Sequence, residues 1–156
     1  LEMDSFVEMI PFNGDLFLCQ TNGDIVRFTG NSWQHFEIID GPDIELKSCA
    51  VYGVADWALE RPSYCVVSQE GEVYCWGDNS QAQVGDGTQV DHQTPYQLPL
   101  HSIESVAFQN EEGHLRACAL NSDHDLWCWG HVPGGGIDQP TLDEMTLTHR
   151  PCQRWQ

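Results

Sequence analysis

The chain has 156 residues and carries 24 aspartate and glutamate residues against 6 lysine and arginine residues, a formal net charge of −18. Its length suits one domain, and its 40% hydrophobic content is enough for a packed core, which excludes disorder throughout the chain. The negative charge argues against nucleic acid and anionic membranes as partners, and no apolar run reaches the roughly 20 residues that span a bilayer.

Residues 1–45 read as a diverged unit of four strands. The segment Phe17–Thr29 (FLCQTNGDIVRFT) has the pattern of a strand, an Asn-Gly turn and a second strand. Apolar and β-branched segments at Phe6–Phe12 and Ser32–Ile39 flank it on either side. This pattern predicts a four-stranded antiparallel meander. The first residues lack the basic and apolar regions of a signal peptide.

The rest of the chain contains an internal repeat. Residues 65–77 (CVVSQEGEVYCWG) and 118–130 (CALNSDHDLWCWG) align at an offset of 53. Each segment is a strand, a polar turn and a second strand, which is the signature of a hairpin. Shorter strands precede the hairpins at 48–51 and 105–108. The sequence therefore predicts an all-β domain over 1–156, with units at 1–45, 46–100 and 101–156.

The cysteines have two explanations. Cys65 and Cys75, like Cys118 and Cys128, are separated by nine residues. Each pair either forms a disulfide across its hairpin, which indicates an oxidising compartment, or fills buried strand positions. A turn with an odd number of residues places the two cysteines directly opposite, whereas a two-residue turn directs them to opposite faces. Three cysteines have no partner that the sequence assigns: Cys19, Cys49 and Cys152.

The sequence contains none of the catalytic or metal-binding motifs considered below. The nucleophile elbow, the phosphate-binding loop and the zinc-binding HExxH motif are absent, so we expect no catalytic residues and no cofactor. Acidic and amide side chains crowd residues 78–91, but their spacing matches no calcium loop, so we expect no metal. His124 lies in the turn between Cys118 and Cys128, where a turn residue is a better explanation than a zinc ligand.

Two groups of tryptophans have different expected roles. Trp76 and Trp129 recur at the repeat offset, each followed by a glycine, Gly77 or Gly130. This recurrence favours packing between units over ligand binding. Trp33 and Trp155 do not match the repeat, and they are the candidates for contact with a protein or glycan.

The segment CVVSQEGEVYCWGDNSQAQVGDGT, followed by Thr-Pro, resembles the repeat of the regulator of chromosome condensation family. The likeness is greatest to the secreted bacterial branch with paired cysteines. Ala82 stands where that repeat usually has glycine, and Val84 where it has leucine. The likeness extends over roughly residues 48–130, but HVPGGGIDQP at 131–140 departs from the family loop. Within it, PGGGID at 133–138 is predicted to be a flexible linker.

The resemblance implies a β-propeller, usually of seven four-stranded blades, of which this chain would supply about three. Three outcomes follow: a fragment of a longer chain, a partial propeller completed by another subunit, or a chain within a large assembly. Incomplete stacks expose apolar faces and strand edges, so we expect contacts with a protein partner or other subunits. The implied function is that of a non-enzymatic extracellular or periplasmic module that binds a protein, or a glycan, through its blade loops. The strong acidity has two explanations, surface carboxylates that maintain solubility in a saline setting or an acidic face for a basic partner.

Two alternatives remain open. One is a structural subunit of a larger multi-chain assembly, which the incomplete blade count suggests. The other is guanine-nucleotide exchange on a small GTPase, the activity of the founding family member. The paired cysteines, the acidity and the lack of a basic tail disfavour nucleotide exchange.

Overall fold

The computed structural model of the chain describes residues 5–12, 14–29, 36–53, 61–111, 113–131 and 150–151. Within these ranges, twelve β-strands form three four-stranded antiparallel sheets, and in each sheet the strands pair in sequence order. The described ranges contain no helix, so they include no helical segment that could cross a bilayer. The all-β prediction is confirmed.

The first sheet is the unit that the sequence predicts near the N-terminus. A tight turn with Gly23 at φ 102° connects its second and third strands. A Cβ at Gly23 would lie 1.8 Å from the backbone oxygen of Pro42, so the chain approaches this turn too closely for any side chain. The four strands are β1 (Phe6–Phe12), β2 (Asp15–Gln20), β3 (Ile25–Phe28) and β4 (Phe36–Ile39).

The second sheet contains the first cysteine hairpin. Its outer strand ends at Gln97, because Leu98 and Leu100 enter the core, where they are 4% and 6% exposed. The backbone amide of Leu98 donates a hydrogen bond to the carbonyl oxygen of Val73. The strands are β5 (Leu46–Gly53), β6 (Pro62–Ser68), β7 (Val73–Gly77) and β8 (His92–Gln97).

The third sheet repeats this arrangement around the second cysteine hairpin. Its hairpin turn has His124 at φ 68°, a left-handed conformation at the tip. The strands are β9 (Ile103–Glu111), β10 (His114–Asn121), β11 (Asp125–Gly130) and β12 (Arg150–Pro151). The segment 133–138, predicted as a linker, lies outside the described residues.

The three sheets stack face to face with an apolar layer in each gap. Strand β6 is buried on both faces, because successive side chains of a strand point in opposite directions. Tyr64 and Val66 pack toward the first sheet, whereas Cys65 and Val67 pack toward the third. The hairpins at the offset of 53 therefore belong to neighbouring sheets.

Candidate functional site

The loop between β7 and β8, residues 78–91, is held by a buried amide. Asn79 is fully buried, and its Nδ2 donates to Asp86 Oδ1 and to the backbone oxygens of Thr88 and Val90, each at 3.0 Å. These bonds close the loop on itself, because one amide group satisfies acceptors from three separate positions. The loop is thereby fixed as a rigid element.

A second buried residue, Gln83, connects this loop to the second and third sheets. Gln83 is also fully buried, and its Nε2 donates to Asp78 Oδ2 at 2.7 Å and to Ser63 Oγ at 3.2 Å. Its backbone oxygen accepts a hydrogen bond from Trp129 Nε1 at 2.8 Å. The loop of the second unit thus holds the tryptophan of the third.

Close packing explains the small residues of the loop. A Cβ at Gly85 would lie 2.6 Å from Leu98 Cδ2 and 2.9 Å from Trp129 Cδ1, so Trp129 packs directly on the bare glycine backbone. Ala82, which replaces the usual glycine, has φ 60° and is 3% exposed. That left-handed conformation is the reason glycine is preferred there.

The repeat tryptophans and glycines occupy equivalent places. Trp76 lies between the first and second sheets, stacked on Tyr64 with ring centroids 5.3 Å apart, and Trp129 lies between the second and third. Gly77 and Gly130 have φ values of 99° and 98°, and both lie against the backbone of the adjacent strand. The other two candidates, Trp33 and Trp155, lie outside the described residues.

Three pairs of cysteines lie at disulfide distance within the described residues. Cys65 is directly opposite Cys75, and Cys118 is directly opposite Cys128, with Cα atoms 4.2 and 4.1 Å apart. The odd-numbered turns produce this register. The third pair is Cys19 and Cys49, with Cα atoms 6.4 Å apart.

The Cys19–Cys49 pair joins β2 of the first sheet to β5 of the second, and sequence reasoning missed it. No local spacing signals this pair, because its two strands meet only through the stacking of sheets. The two cysteines are 0% and 2% exposed within the layer between the sheets. Cys152 lies outside the described residues.

Hydrogen bonds set the charge state of Asp86. Burial alone would raise the pKa of this carboxyl, but hydrogen bonds from Thr88, His92 and Asn79 outweigh burial and lower the pKa. The His92 ring nitrogen lies 2.7 Å from Asp86 Oδ2. The carboxylate therefore stays ionised and anchors the end of the loop.

A cavity of about 460 Å³ opens between the first and second sheets, on the side where β6 begins and β7 ends. We call it the inter-sheet groove. Trp76 and Tyr64 line it, together with the backbone of Gly77. The other lining residues are Ile39, Asp40, Arg61, Pro62, Asp78, Asp91, His92 and Gln93.

Among the described residues, the groove is lined by three carboxylates, on Asp40, Asp78 and Asp91, and by one guanidinium, on Arg61. Arg61 Nη1 lies 2.9 Å from Asp91 Oδ2. Asp40 is exposed, whereas Asp78 is 9% exposed and accepts hydrogen bonds from within its own loop. Because Trp76 and Tyr64 are buried, a cation in the groove would meet the carboxylates at the rim.

Metal binding finds no support in the donor groups that the structure describes. Within the described ranges, no cluster of three or more histidine, cysteine, aspartate or glutamate side chains is placed to hold a metal ion. The oxygen-rich loop at 78–91 directs its carboxylates to its own hydrogen-bond donors, as at Asp86 and Asp91.

The stacked meanders are those of a β-propeller. Human WBSCR16 superposes with a TM-score of 0.59 at 15% identity, over 88% of this chain and 36% of that chain. Yeast RCC1 (Prp20) in its complex with Kap60 gives 0.54 at 15% identity, over 81% and 30%. BBS1N in complex with ARL6DN gives 0.53 at 10% identity, over 86% and 37%. The β-propeller prediction is confirmed.

Sequence comparison identifies the kind of propeller. Residues 70–108 match the model of the regulator of chromosome condensation (RCC1) repeat, so the chain contains a repeat of this family. A curated relative is the "RCC1 domain-containing protein RUG3, mitochondrial" of Arabidopsis thaliana, 24% identical over 82 residues. The match covers 53% of this chain and 18% of that relative. The predicted family is confirmed, whereas the secreted bacterial branch stays a prediction.

Proposed function

We propose that the chain is a non-enzymatic interaction module that binds a protein partner at the inter-sheet groove. The partner would insert a basic side chain, most favourably an arginine. The observation that carries this proposal is the composition of the groove, in which the described residues supply three carboxylates and one guanidinium. The two solved complexes that resemble this chain, with Kap60 and with ARL6DN, support a role in protein binding.

Arg61 illustrates the contact that we propose for the partner. Its guanidinium is on an exposed side chain, 53% accessible, and it pairs with Asp91 at the rim. Exposed ion pairs contribute roughly 0–1 kcal/mol, so a partner arginine can displace Arg61 at little cost. A planar guanidinium also meets a carboxylate through two parallel hydrogen bonds, which a lysine cannot do.

The experiment is a titration with a defined peptide, acetyl-Gly-Ser-Arg-Ser-Gly-amide, followed by NMR shifts of the Trp76 indole. The control peptide has citrulline, which keeps the shape but lacks the charge. We expect binding of the arginine peptide only, and a loss of about tenfold or more in Asp40→Asn/Asp91→Asn, corresponding to about 1.4 kcal/mol.

Asp123→Asn is the matched control, because it removes a carboxylate at an exposed turn in the third sheet. We expect it to leave peptide affinity nearly unchanged. Equal weakening by both sets of substitutions would show a general charge effect and would overturn the groove as the site.

We further propose an oxidising compartment, extracellular or periplasmic. The three cysteine pairs at disulfide distance support it. The relative named above is mitochondrial, but the match is 24% identical and covers 18% of that relative, so the proposal does not follow its location. Mass spectrometry of unreduced peptides tests the pairing, and free thiols at all six positions would contradict it.

Nucleotide exchange is the second candidate, favoured by the fold shared with yeast RCC1. Its test is the release of labelled GDP from a small GTPase in the presence of the chain. Accelerated release would establish this activity and would replace the non-enzymatic proposal. The prediction of a glycan ligand rests on Trp33 and Trp155, outside the described residues.

A further inference from the structure

The Cys19–Cys49 pair lies in the gap between the first and second sheets, the same gap that holds the inter-sheet groove. Cys19 belongs to β2 and Cys49 to β5, and the two residues are 0% and 2% exposed. The other two pairs each connect neighbouring strands of a single sheet. Among the three pairs in the described residues, Cys19–Cys49 is therefore the one that would link one sheet covalently to another.

Valines occupy the equivalent places in the gap between the second and third sheets. Cys19 is the last paired residue of β2 before its hairpin turn, as Val67 is the last paired residue of β6 before its own. Cys49 lies between a serine and an alanine in β5, as Val106 does in β9. Both valines belong to the apolar layer of the second gap, where they are 0% and 6% exposed. The first gap thus has a cysteine pair where the second gap has two valines.

The hydrogen bonds at the end of the gap where the groove opens also differ. In the second gap, Trp129 Nε1 donates to the backbone oxygen of Gln83 at 2.8 Å. The backbone amide of Leu115 donates to Gln81 Oε1 at the same distance. Pro62 occupies the place of Leu115 in the second sheet, and a proline has no amide hydrogen to donate. The first gap therefore cannot form the second of these bonds, and a disulfide would attach its sheets by other means.

Aromatic side chains connect the cysteine pair to the groove. Phe17, in the same strand as Cys19, meets Tyr64 edge-on with ring centroids 6.4 Å apart. Tyr64 in turn stacks on Trp76, and both of these rings line the groove. The spacing of the two sheets therefore determines the distance between Asp40, which follows the first sheet, and the carboxylates of the second unit.

We propose that Cys19 and Cys49 form a disulfide that clamps the first sheet onto the second and so makes the groove competent to bind its partner. Its formation transfers two electrons and two protons from the two thiols to a small-molecule disulfide, such as glutathione disulfide, which leaves as two thiols. Oxidation therefore activates the groove. The effect on partner binding rests on the proposed function, whereas the clamping of the sheet does not.

The double variant Cys19→Val/Cys49→Val tests the clamp. It places in the first gap the side chains that the second gap already contains, so we expect an unchanged circular dichroism spectrum. Hydrogen exchange of the β2 and β3 amides should become at least about tenfold faster, because the link no longer restricts opening of the first sheet. Unchanged exchange in these two strands would overturn the proposal.

Cys118→Val/Cys128→Val is the matched control, because it removes a cysteine pair within the third sheet and leaves the first gap intact. We expect exchange in β2 and β3 to stay within about twofold of the wild-type rate. Acceleration equal to that of Cys19→Val/Cys49→Val would show a general effect of disulfide loss and would exclude a specific clamp.

Titration with the arginine peptide separates this proposal from the proposed function. We expect Cys19→Val/Cys49→Val to bind the peptide about tenfold more weakly than the oxidised wild-type chain, because its groove is less preorganised. Equal affinities would overturn the control of the groove by this disulfide. A wild-type chain that does not bind the peptide would contradict the proposed function, and the exchange rates alone would then decide whether the clamp exists.

Stepwise reduction of the wild-type chain gives the same test without a substitution. Dithiothreitol reduces the pairs, and alkylation with peptide mapping locates the thiols at each time point. Exchange in β2 and β3 should accelerate when Cys19 and Cys49 become labelled. Acceleration that follows the labelling of Cys118 and Cys128 alone would overturn the proposal, and so would free thiols at Cys19 and Cys49 in the oxidised chain.

Discussion

The second and third sheets begin with nearly the same hairpin but differ in the segment that follows it. After β7, the residues Asp78–Thr88 form a loop that two buried amides hold in shape, and the backbone oxygen of Gln83 in this loop accepts a hydrogen bond from Trp129 of the next sheet. After β11, the sequence HVPGGGIDQP has neither amide at the corresponding positions. The hairpin therefore determines how each sheet forms, whereas the loop that follows the hairpin determines how the next sheet is attached.

Trp129→Ala should have the largest effect on this attachment. Removing a buried tryptophan costs about 3–5 kcal/mol of unfolding free energy, and here it also leaves the carbonyl of Gln83 unpaired. Urea unfolding measures the loss. Hydrogen exchange should show the third sheet opening before the second, and uniform exchange in both would contradict the role of this residue.

Asn79→Ala should be next in magnitude. It removes three donated hydrogen bonds and leaves buried acceptors unsatisfied, so we expect a loss of about 2–4 kcal/mol. Gln89→Ala, at an exposed position of the same loop, is the control and should cost little. Similar unfolding midpoints for the two variants would show that the loop is not held by this amide.

The charge on Asp86 adds a pH-dependent contribution. Because the pKa of this carboxyl is lowered in the folded chain, its stabilisation is complete above the ordinary aspartate pKa. This stabilisation is lost as the pH falls below about 4 and through the lowered pKa of the folded chain. Asp86→Asn should therefore be less stable than wild type at pH 7, and the difference should shrink on acidification. A constant difference would exclude the carboxylate as its cause.

Ala82→Gly should have the smallest effect on stability. Relief of the left-handed strain offsets the lost methyl group and the greater entropy of glycine, so we expect almost no net loss of unfolding free energy. The control is Ala119→Gly, at a fully buried position of β10, which should destabilise by about 1 kcal/mol. Equal losses from both substitutions would contradict the strain at Ala82.

The sequence predicted what depends on local periodicity. Strand β1 has the predicted bounds, and the odd-numbered turns place Cys65 opposite Cys75, as the spacing argument required. What it did not predict depends on stacking. Cys19 and Cys49 meet only because two sheets pack together, and the end of β8 depends on where Leu98 enters the core.

The inter-sheet groove could not be predicted for the same reason. Its charged residues come from separate parts of the chain, with Asp40 after β4, Arg61 before β6 and Asp91 before β8. No spacing in the sequence relates these positions. The buried amides Asn79 and Gln83 did fall within the family motif, so the resemblance identified their segment without indicating their bonds.

The most direct test of the stacked arrangement compares how fast the two equivalent cysteine pairs are reduced. The thiols that form are alkylated and located by peptide mapping, at a concentration where the chain is monomeric. Cys65 and Cys75 are fully buried under the third sheet, whereas Cys118 and Cys128 are partly exposed. We predict that Cys118 and Cys128 are labelled at least about tenfold faster, because thiol exchange requires access to the sulfur. Equal rates, or faster labelling of Cys65 and Cys75, would contradict the stacking of the third sheet on the second.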